Sequence, residues 1–142
     1  MKAKYSSHWK SSKQPRKQRK LRYNAPLHKR QKMVSAHLAK DLRKQYKRRA
    51  MPLRKGDEVK IMNGKYKGSY GKIEKIDLRQ LKAKVENIKT KKTSGEEVAI
   101  SMDPSNLMIT KLELADKKRF AMIKRKTPGE TKKTEAANAK KP

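Results

Sequence analysis

Residues 54–73 read RKGDEVKIMNGKYKGSYGKI and contain the strongest indication of the fold. It contains a turn signal at 56–57, an alternating segment whose apolar positions are Val59 and Ile61, and a loop interrupted by glycines. A second strand opens at Gly71. Period-2 alternation on either side of a glycine-rich loop is typical of two half-buried strands. The stretch therefore predicts a strand–loop–strand unit.

The tip of this loop has a composition suited to RNA. Lys65 and Lys67 flank Tyr66, so two amines that can meet phosphates stand beside a ring that can stack on a splayed base. The same pattern is explained equally well if the Tyr66 ring packs against the domain to which it belongs, which is predicted below to be a small barrel. Tyr70, four residues on, is expected to be structural.

Three glycines punctuate the loop at Gly64, Gly68 and Gly71. We expect them to supply positive φ and to let another backbone approach closely. Tight turns of a barrel alone would demand glycine, so a structural role and a role in facing RNA stay open for all three.

Working outward, the middle of the chain contains further alternating segments. The apolar positions that alternate are Val59 with Ile61, Leu81 with Ala83 and Val85, Val98 with Ile100 and Met102, and Leu107 with Ile109. Residues 72–78 break strict alternation, which predicts a bulge. Turn signals lie at 63–64, 93–95 and 103–105. Four to five short strands in about 60 residues are too few for a sandwich, so we predict a small, strongly bent barrel.

Charge divides the chain into three parts. Residues 1–51 carry 18 Lys and Arg against one acidic residue, a net charge of +17. Residues 52–114 have a net charge of only +5 and hold most of the aliphatic side chains, whereas residues 115–142 have +7. We therefore predict a basic extension at 1–51, the barrel at 52–114, and a short helix with a basic tail at 115–142.

The first half of the extension offers no periodicity. Residues 1–27 contain Pro15 and Pro26 and are expected to be extended or disordered alone. Nine of the twenty residues at 13–32 are Lys or Arg and none is acidic, a density that favours neutralisation by phosphate. Trp9 has no core to join, so stacking on a base or packing on a neighbouring protein is favoured over an idle ring.

Two helices are predicted outside the barrel. The first covers residues 36–49, where Leu38, Leu42 and Tyr46 recur at i, i+4 and i+8 and dock the helix on the barrel, and Pro52 ends it. The second follows Asp116 as N-cap and bears Phe120 and Ile123. Residues 127–142 are expected to form a mobile tail.

Composition excludes several classes of function. The chain of 142 residues has a net charge of +29 and no cysteine, so disulfides and thiolate metal sites are impossible and a polyanionic partner is expected. No apolar stretch is long enough for a membrane span. The pairs Asp57-Glu58 and Glu96-Glu97 are expected to be solvated surface, and no nucleophile, base and orienting group converge. We expect no enzyme, cofactor, metal or small-molecule substrate, and a cytosolic or nuclear location.

These residues resemble a known family. The unit at 54–73 looks like the KOW motif, the strand–loop–strand unit of SH3-like barrels in ribosomal proteins and transcription elongation factors. The resemblance extends to Asn24-Ala25-Pro26, Leu42-Arg43 with Tyr46, Met51-Pro52-Leu53-Arg54-Lys55, and Asp103-Pro104-Ser105-Asn106. Over roughly residues 13–125 the chain is similar to the universal KOW protein of the large ribosomal subunit, in its eukaryotic or archaeal form.

The resemblance implies a mostly-β fold, an SH3-like barrel with a long basic N-terminal extension containing a short helix and a C-terminal helix plus tail. It implies binding to large-subunit ribosomal RNA near the exit of the peptide tunnel, contacts with neighbouring ribosomal proteins and with factors that dock at the exit, and a role in subunit assembly. It also implies that the protein works in cytoplasmic ribosomes and, if the source is a eukaryote, that the subunit is assembled in the nucleus or nucleolus.

The residues expected to bind RNA are basic residues, aromatic residues and loop glycines in the basic extension and in the strand–loop–strand unit. They are Trp9, Lys13, Arg16, Lys17, Arg19, Lys20, Arg22, Lys29, Arg30, Lys32, Arg48, Arg49, Lys65, Tyr66, Lys67, Gly68, Gly71 and Lys72. A KOW module of a transcription elongation factor is the alternative, although such proteins usually carry a separate acidic or mixed domain. A histone-like packaging protein is favoured by charge alone.

Overall fold

The computed structural model describes residues 5, 6, 8 and 12–124. Trp9 and the tail at 127–142 lie outside the described residues. The chain divides into two compact units, Met1–Leu112 and Glu113–Pro142. The helices are α1 (Pro15–Asn24), α2 (Leu27–Met33), α3 (Lys40–Tyr46) and α4 (Lys117–Lys124), with a 3-10 turn at Pro104–Asn106. The strands are β1 (Ser35–Leu38), β2 (Ala50–Pro52), β3 (Glu58–Ile61), β4 (Tyr70–Asp77), β5 (Lys82–Lys91), β6 (Glu97–Met102) and β7 (Leu107–Lys111).

The strands form one bent sheet in the order β2-β1-β7-β3-β4-β5-β6. All pairs are antiparallel except β1 with β7, which are parallel. The five strands predicted between residues 58 and 111 are all present, and β1 and β2 add two more. This is the mostly-β architecture expected of a small SH3-like barrel.

The predicted bulge is confirmed in β4. Gly71 and Lys72 pair with β3, whereas the pairing with β5 begins at Ile73, and its register shifts between Ile73 and Lys75. A bulge bends its strand and increases the local twist. β4 therefore turns the corner between the two halves of the sheet, which is how a short chain closes around its core.

The core comes from the inward positions of alternating strands. Its members are aliphatic and nearly inaccessible: Ala36, Leu38, Met51, Val59, Ile61, Ile73, Ala83, Val85, Ile88, Leu107 and Ile109. Side chains of successive strand residues point to opposite faces, so the same alternation leaves Lys60, Tyr70, Lys72 and Met108 on the outer face.

The predicted helix at 36–49 is wrong in its first turn. Residues 35–38 form β1, in which Leu38 is fully buried and pairs with Ile109 of β7, so Leu38 shares no helical stripe with Leu42. The helix is α3 alone, and it ends at Lys47, whose φ of 51° is left-handed, rather than at Pro52. Ala36 pairs with Met51 of β2 and Leu38 with Ile109 of β7, and this pairing buries both side chains more completely than a surface helix would.

The prediction of an extended or disordered segment at 1–27 is also wrong over α1. Pro15 occupies the first helical position, where its missing N–H costs nothing. Residues 16–24 contain no glycine or proline and are rich in Lys, Arg, Gln and Leu, which are good helix formers. Helix propensity therefore outweighs the lack of apolar periodicity in this segment.

Asp57 is a buried structural residue rather than solvated surface. Its side chain is fully buried and accepts a hydrogen bond from the backbone N–H of Arg54 at 2.8 Å. Its carbonyl accepts from the N–H of Ile73 at 2.9 Å, and Gly56 donates back to the Ile73 carbonyl at 2.9 Å. The turn before β3 is thereby fastened to β4.

The turn between β4 and β5 is held by Asp77, whose Oδ1 accepts from the N–H groups of Arg79 and Gln80 at 2.7 and 3.1 Å. The backbone hydrogen bonds from Gln80 and Arg79 lower the pKa of Asp77, because they stabilise the carboxylate. Leu81, expected as a strand residue, lies in this turn with φ of 59°.

In the second unit, α4 begins as predicted from Asp116. The Asp116 Oδ1 accepts from the N–H of Lys118 at 2.8 Å, and its carbonyl accepts from the N–H of Phe120 at 3.1 Å. Arg119 donates from Nη1 to the carbonyl of Glu113 at 2.9 Å.

Candidate nucleic-acid interface

The predicted RNA-binding residues in the described part of the chain fall into three groups. The first lies on α1, α2 and the segment just before α1, the second joins α3 to β2, and the third occupies the hairpin of β3 and β4. Trp9 lies outside the described residues.

The β3–β4 loop (residues 62–69) is an ordered turn. Gly68 donates to the carbonyl of Ile61 at 2.9 Å, Lys67 donates to that of Gly64 at 3.1 Å, and Ser69 donates to that of Tyr66 at 3.1 Å. Gly64 and Gly68 both have φ of 91°. A left-handed backbone at both positions explains why glycine stands there. The hydrogen bonds hold the loop in one shape before any ligand arrives.

Three lysines of this hairpin are exposed and unpaired. Lys65, Lys67 and Lys72 are exposed and form no ion pair with any described residue. By contrast Lys89, Lys92 and Lys111 are paired with carboxylates. Unpaired amines on an ordered loop can bind phosphate without first breaking an internal contact.

Tyr66 is half-buried and anchored. Its hydroxyl donates to the carbonyl of Lys89 in β5 at 3.2 Å, and the Lys65 ammonium lies 5.9 Å from the ring centroid. Of the two readings of Tyr66, packing against its own barrel is therefore the one for which the structure provides contacts.

Gly71 differs from the other two loop glycines. Its backbone is that of a strand, so the expectation of a positive φ is wrong at this position. A Cβ at Gly71 would lie 2.6 Å from Cγ1 of Val85 and 2.8 Å from the carbonyl oxygen of Glu86. The glycine lets β4 and β5 approach closely at the corner of the sheet.

The first group of basic residues surrounds α1. Gln18, Leu21 and Asn24 are the half-buried positions, three residues apart, and they mark one face. The exposed basic side chains of this helix are Arg16, Lys17, Arg19, Lys20 and Arg22. Lys13 and Lys32 are exposed as well, and Lys29 is half-buried. The α1 helix thus has five exposed cations on ten residues with no acid among them, more than any other described helix.

Arg30 has a structural task within this group. Its Nη2 donates to the carbonyl of Tyr23, in the last turn of α1, and its Nε is buried without a hydrogen-bond partner among the described residues. Cations near a helix C-terminus stabilise the last carbonyls. Arg30 therefore joins α2 to the end of α1 and has less freedom than its neighbours to meet RNA.

The second group, Arg48 and Arg49, lies between α3 and β2. Arg49 is exposed, and its carbonyl accepts from the N–H of Leu38 at 3.0 Å; Arg48 is half-buried. The hydrogen bond fixes the backbone from which these two side chains project.

Sequence reasoning missed Tyr70 as a surface residue. The ring is 61% exposed, and the ammonium of Lys60 lies 5.1 Å from its centroid. Lys60 and Tyr70 are ten residues apart and are opposite each other in the register of β3 and β4. The glycine-rich loop between the two residues indicates a hairpin. The register of β3 and β4 is needed to show that Lys60 and Tyr70 face each other.

Other kinds of site find no support among the described residues. In that part of the chain no group of three or more His, Asp and Glu could hold a metal ion. None of the described helices is long and apolar enough to cross a membrane.

A comparison with known families finds one that covers most of the chain. Residues 12–126 match the family described as eukaryotic ribosomal proteins L26 and their archaeal L24 counterparts. The match includes α1, the entire sheet and α4, so it takes in the hairpin and both of the other basic groups. On this basis the chain belongs to this eukaryotic and archaeal family of large-subunit ribosomal proteins.

Proposed function

We propose that the chain is a structural constituent of the large ribosomal subunit that binds ribosomal RNA through α1, α2 and the β3–β4 hairpin. The observation that carries the proposal is the set of unpaired lysines on an ordered hairpin, Lys65, Lys67 and Lys72, in a chain of this family. Each amine that meets a phosphate releases counterions, which favours binding.

The family resemblance supports a finer proposal about location. The chain lies near the exit of the peptide tunnel, contacts neighbouring ribosomal proteins and factors that dock at the exit, and assists assembly of the subunit. In a eukaryote assembly takes place in the nucleolus and the mature subunit works in the cytoplasm. The role is one of binding and shape, without an enzymatic step.

The binding proposal is tested with the double substitution Lys65→Ala, Lys67→Ala. We expect weaker binding to large-subunit ribosomal RNA and a salt dependence flattened by up to two phosphate contacts, about 0.7 to 0.9 slope units each. The measurement is the dissociation constant over a range of salt concentrations. The matched control is Lys117→Ala, Lys118→Ala, which removes the same charge from exposed positions of α4.

An unchanged slope in the hairpin variant would mean that the loop points away from RNA. If the salt dependence flattens equally in both variants, the effect comes from net charge and not from the position of the hairpin lysines. Equal affinity of the unsubstituted chain for duplex DNA and ribosomal RNA would favour the packaging alternative instead. Location is tested by crosslinking the protein in cells and sequencing the attached RNA, which should come from the tunnel-exit region.

A further inference from the structure

Tyr70 is a large aromatic side chain whose hydroxyl has no hydrogen-bond partner among the described residues. The residue is 61% exposed although it lies within a strand, and within the described part of the chain its only ring or polar side-chain contact is with the Lys60 ammonium, 5.1 Å from the ring centroid. The ammonium stands over one face of the ring. The exposed area leaves the remaining ring surface available to a ligand.

On the outer face of the sheet, the row of residues beside Tyr70 contains one ammonium group and no acid, and in the next row Glu58 is paired with Lys111. The register places Tyr70 opposite Lys60, Lys60 opposite Met108, and Met108 opposite His37. A row of this composition suits an anionic polymer with aromatic groups better than an apolar protein surface, because the ammonium must stay solvated or meet an anion.

A depression of about 300 Å³ adjoins the ring, and residues of β3, β4, β5 and β7 line it. Its wall contains the Lys72 amine, the Asn87 amide and two carboxylates, of Glu58 and Glu86. The Glu58 carboxylate is paired with Lys111 at 3.2 Å. Asn87 has φ of 65° and lies where the register of β5 with β6 shifts, so the strand is bent away from regular pairing here. The depression thus combines a ring with hydrogen-bond donors and acceptors.

We propose that Tyr70 stacks against an unpaired base of large-subunit ribosomal RNA that is splayed out of its helix, with Lys60 and Lys72 meeting the adjacent phosphates. This inference rests on the proposed RNA-binding function and adds a specific base-stacking residue. Side chains cannot read the deep major groove of A-form RNA. Specificity on RNA therefore usually comes from unpaired bases, which can stack on aromatic rings. The pairing of Tyr70 with Lys60 fixes the backbone from which the ring projects before RNA binds.

The test compares Tyr70→Ala with Tyr70→Phe in binding to purified large-subunit ribosomal RNA. Loss of a stacked base should weaken binding by about 5- to 150-fold for the alanine variant. The phenylalanine variant keeps the ring and should bind within about twofold of the unsubstituted chain, because stacking needs no hydroxyl. The salt dependence should be the same for all three proteins, because neither substitution changes charge.

Several outcomes overturn the inference and leave the proposed function intact. A stacked base is excluded if the Tyr70→Ala variant binds within about twofold of the unsubstituted chain while the Lys65→Ala, Lys67→Ala variant flattens the salt dependence. Equal loss in both tyrosine variants assigns the effect to the hydroxyl. If the unsubstituted chain fails to prefer ribosomal RNA over duplex DNA, the proposed function itself fails.

A second measurement needs no substitution and so does not depend on variant folding. Ultraviolet crosslinking of intact large subunits, followed by digestion after lysine and arginine, should yield a nucleotide attached to peptide 68–72, which contains Tyr70. Tyr66 lies in a different peptide. A peptide of a neighbouring protein attached at Tyr70 instead would overturn the inference in favour of a protein contact.

Discussion

Gly71 and Gly68 show that two glycines in one motif serve different physical needs. Gly68 has a left-handed backbone and open space around it, whereas Gly71 has strand backbone and no room for a Cβ beside Val85 and Glu86. The spacing of glycines in the sequence does not separate these cases, because both lie close to the start of the same strand. The contact between β4 and β5 separates them.

This difference predicts the effect of Gly71→Ala. The added Cβ must displace the β5 backbone at Glu86, so the free energy of unfolding should fall by about 1–3 kcal/mol. Urea unfolding followed by circular dichroism measures this loss. RNA affinity per folded molecule should stay within about twofold, because Gly71 acts through packing. Reduced affinity at unchanged stability would contradict this expectation and favour the prediction that Gly71 contacts RNA.

The two tyrosines illustrate what residue patterns leave undecided. Tyr66, between two lysines, is anchored by its hydroxyl to β5, whereas Tyr70, expected to be structural, is exposed beside Lys60. A one-residue change of register exchanges the inward and outward positions of a strand. The accessibility of the Tyr70 ring therefore follows from the register of β4, whereas that of the Tyr66 ring follows from its hydrogen bond to the distant Lys89 carbonyl.

Among the elements, α1 is short and poorly supported. It spans ten residues, has no side-chain cap and no acid in its first turn, and carries Arg16 and Lys17 near its positive end. Isolated helices of this length are marginal in water. We infer that RNA phosphates near α1 neutralise its charge and also stabilise the helix. The helical shape of α1 should then contribute to RNA binding in addition to its charge.

Replacing Lys20 in two ways tests the importance of that shape. Lys20→Ala removes one cation and keeps the helix, whereas Lys20→Pro also breaks the helix interior at a cost of about 3 kcal/mol. Both variants should flatten the salt dependence of ribosomal RNA binding by one contact at most. The proline variant should bind more weakly still, at every salt concentration. Equal affinities would show that α1 contributes charge alone.

The segment before β3 shows the limit of periodicity. The spacing of Leu38, Leu42 and Tyr46 fits a helix, and α3 does form over the second and third of these. Leu38 instead belongs to β1, because pairing with β7 satisfies its backbone and buries its side chain completely. A parallel strand contributed from about 70 residues away along the chain leaves no signal within a window of a dozen residues.

At the scale of the whole molecule, charge and folding are separated along the chain. The described sheet begins at Ser35, and among the described residues up to position 30 only Ala25 is buried. The three-part division at residues 51 and 114 stays a prediction, although β1 and β2 already belong to the sheet. We expect the sheet to fold without the segment that carries the basic residues of α1.

Deletion of residues 1–30 tests this separation. The sheet should stay folded, with its β-type circular dichroism retained, while incorporation into large subunits falls, because most of the first basic group is removed. Circular dichroism and sedimentation of the ribosomal fraction give the two readouts. Loss of the β signal would show that the extension is needed for folding. Full incorporation would mean that α1 makes no essential contact with RNA.

The sequence was enough to predict a polyanionic partner and to identify the barrel with its five central strands, because alternation, turn residues and net charge are local or additive properties. It also placed the N-cap of α4 at Asp116 and the bulge in β4. Only the tertiary structure decided that β1 and β2 complete the sheet, that Asp57 is buried, and that Tyr70 rather than Tyr66 presents its ring. Each of these depends on which strand lies beside which, a property of residues far apart in the chain that no local pattern contains.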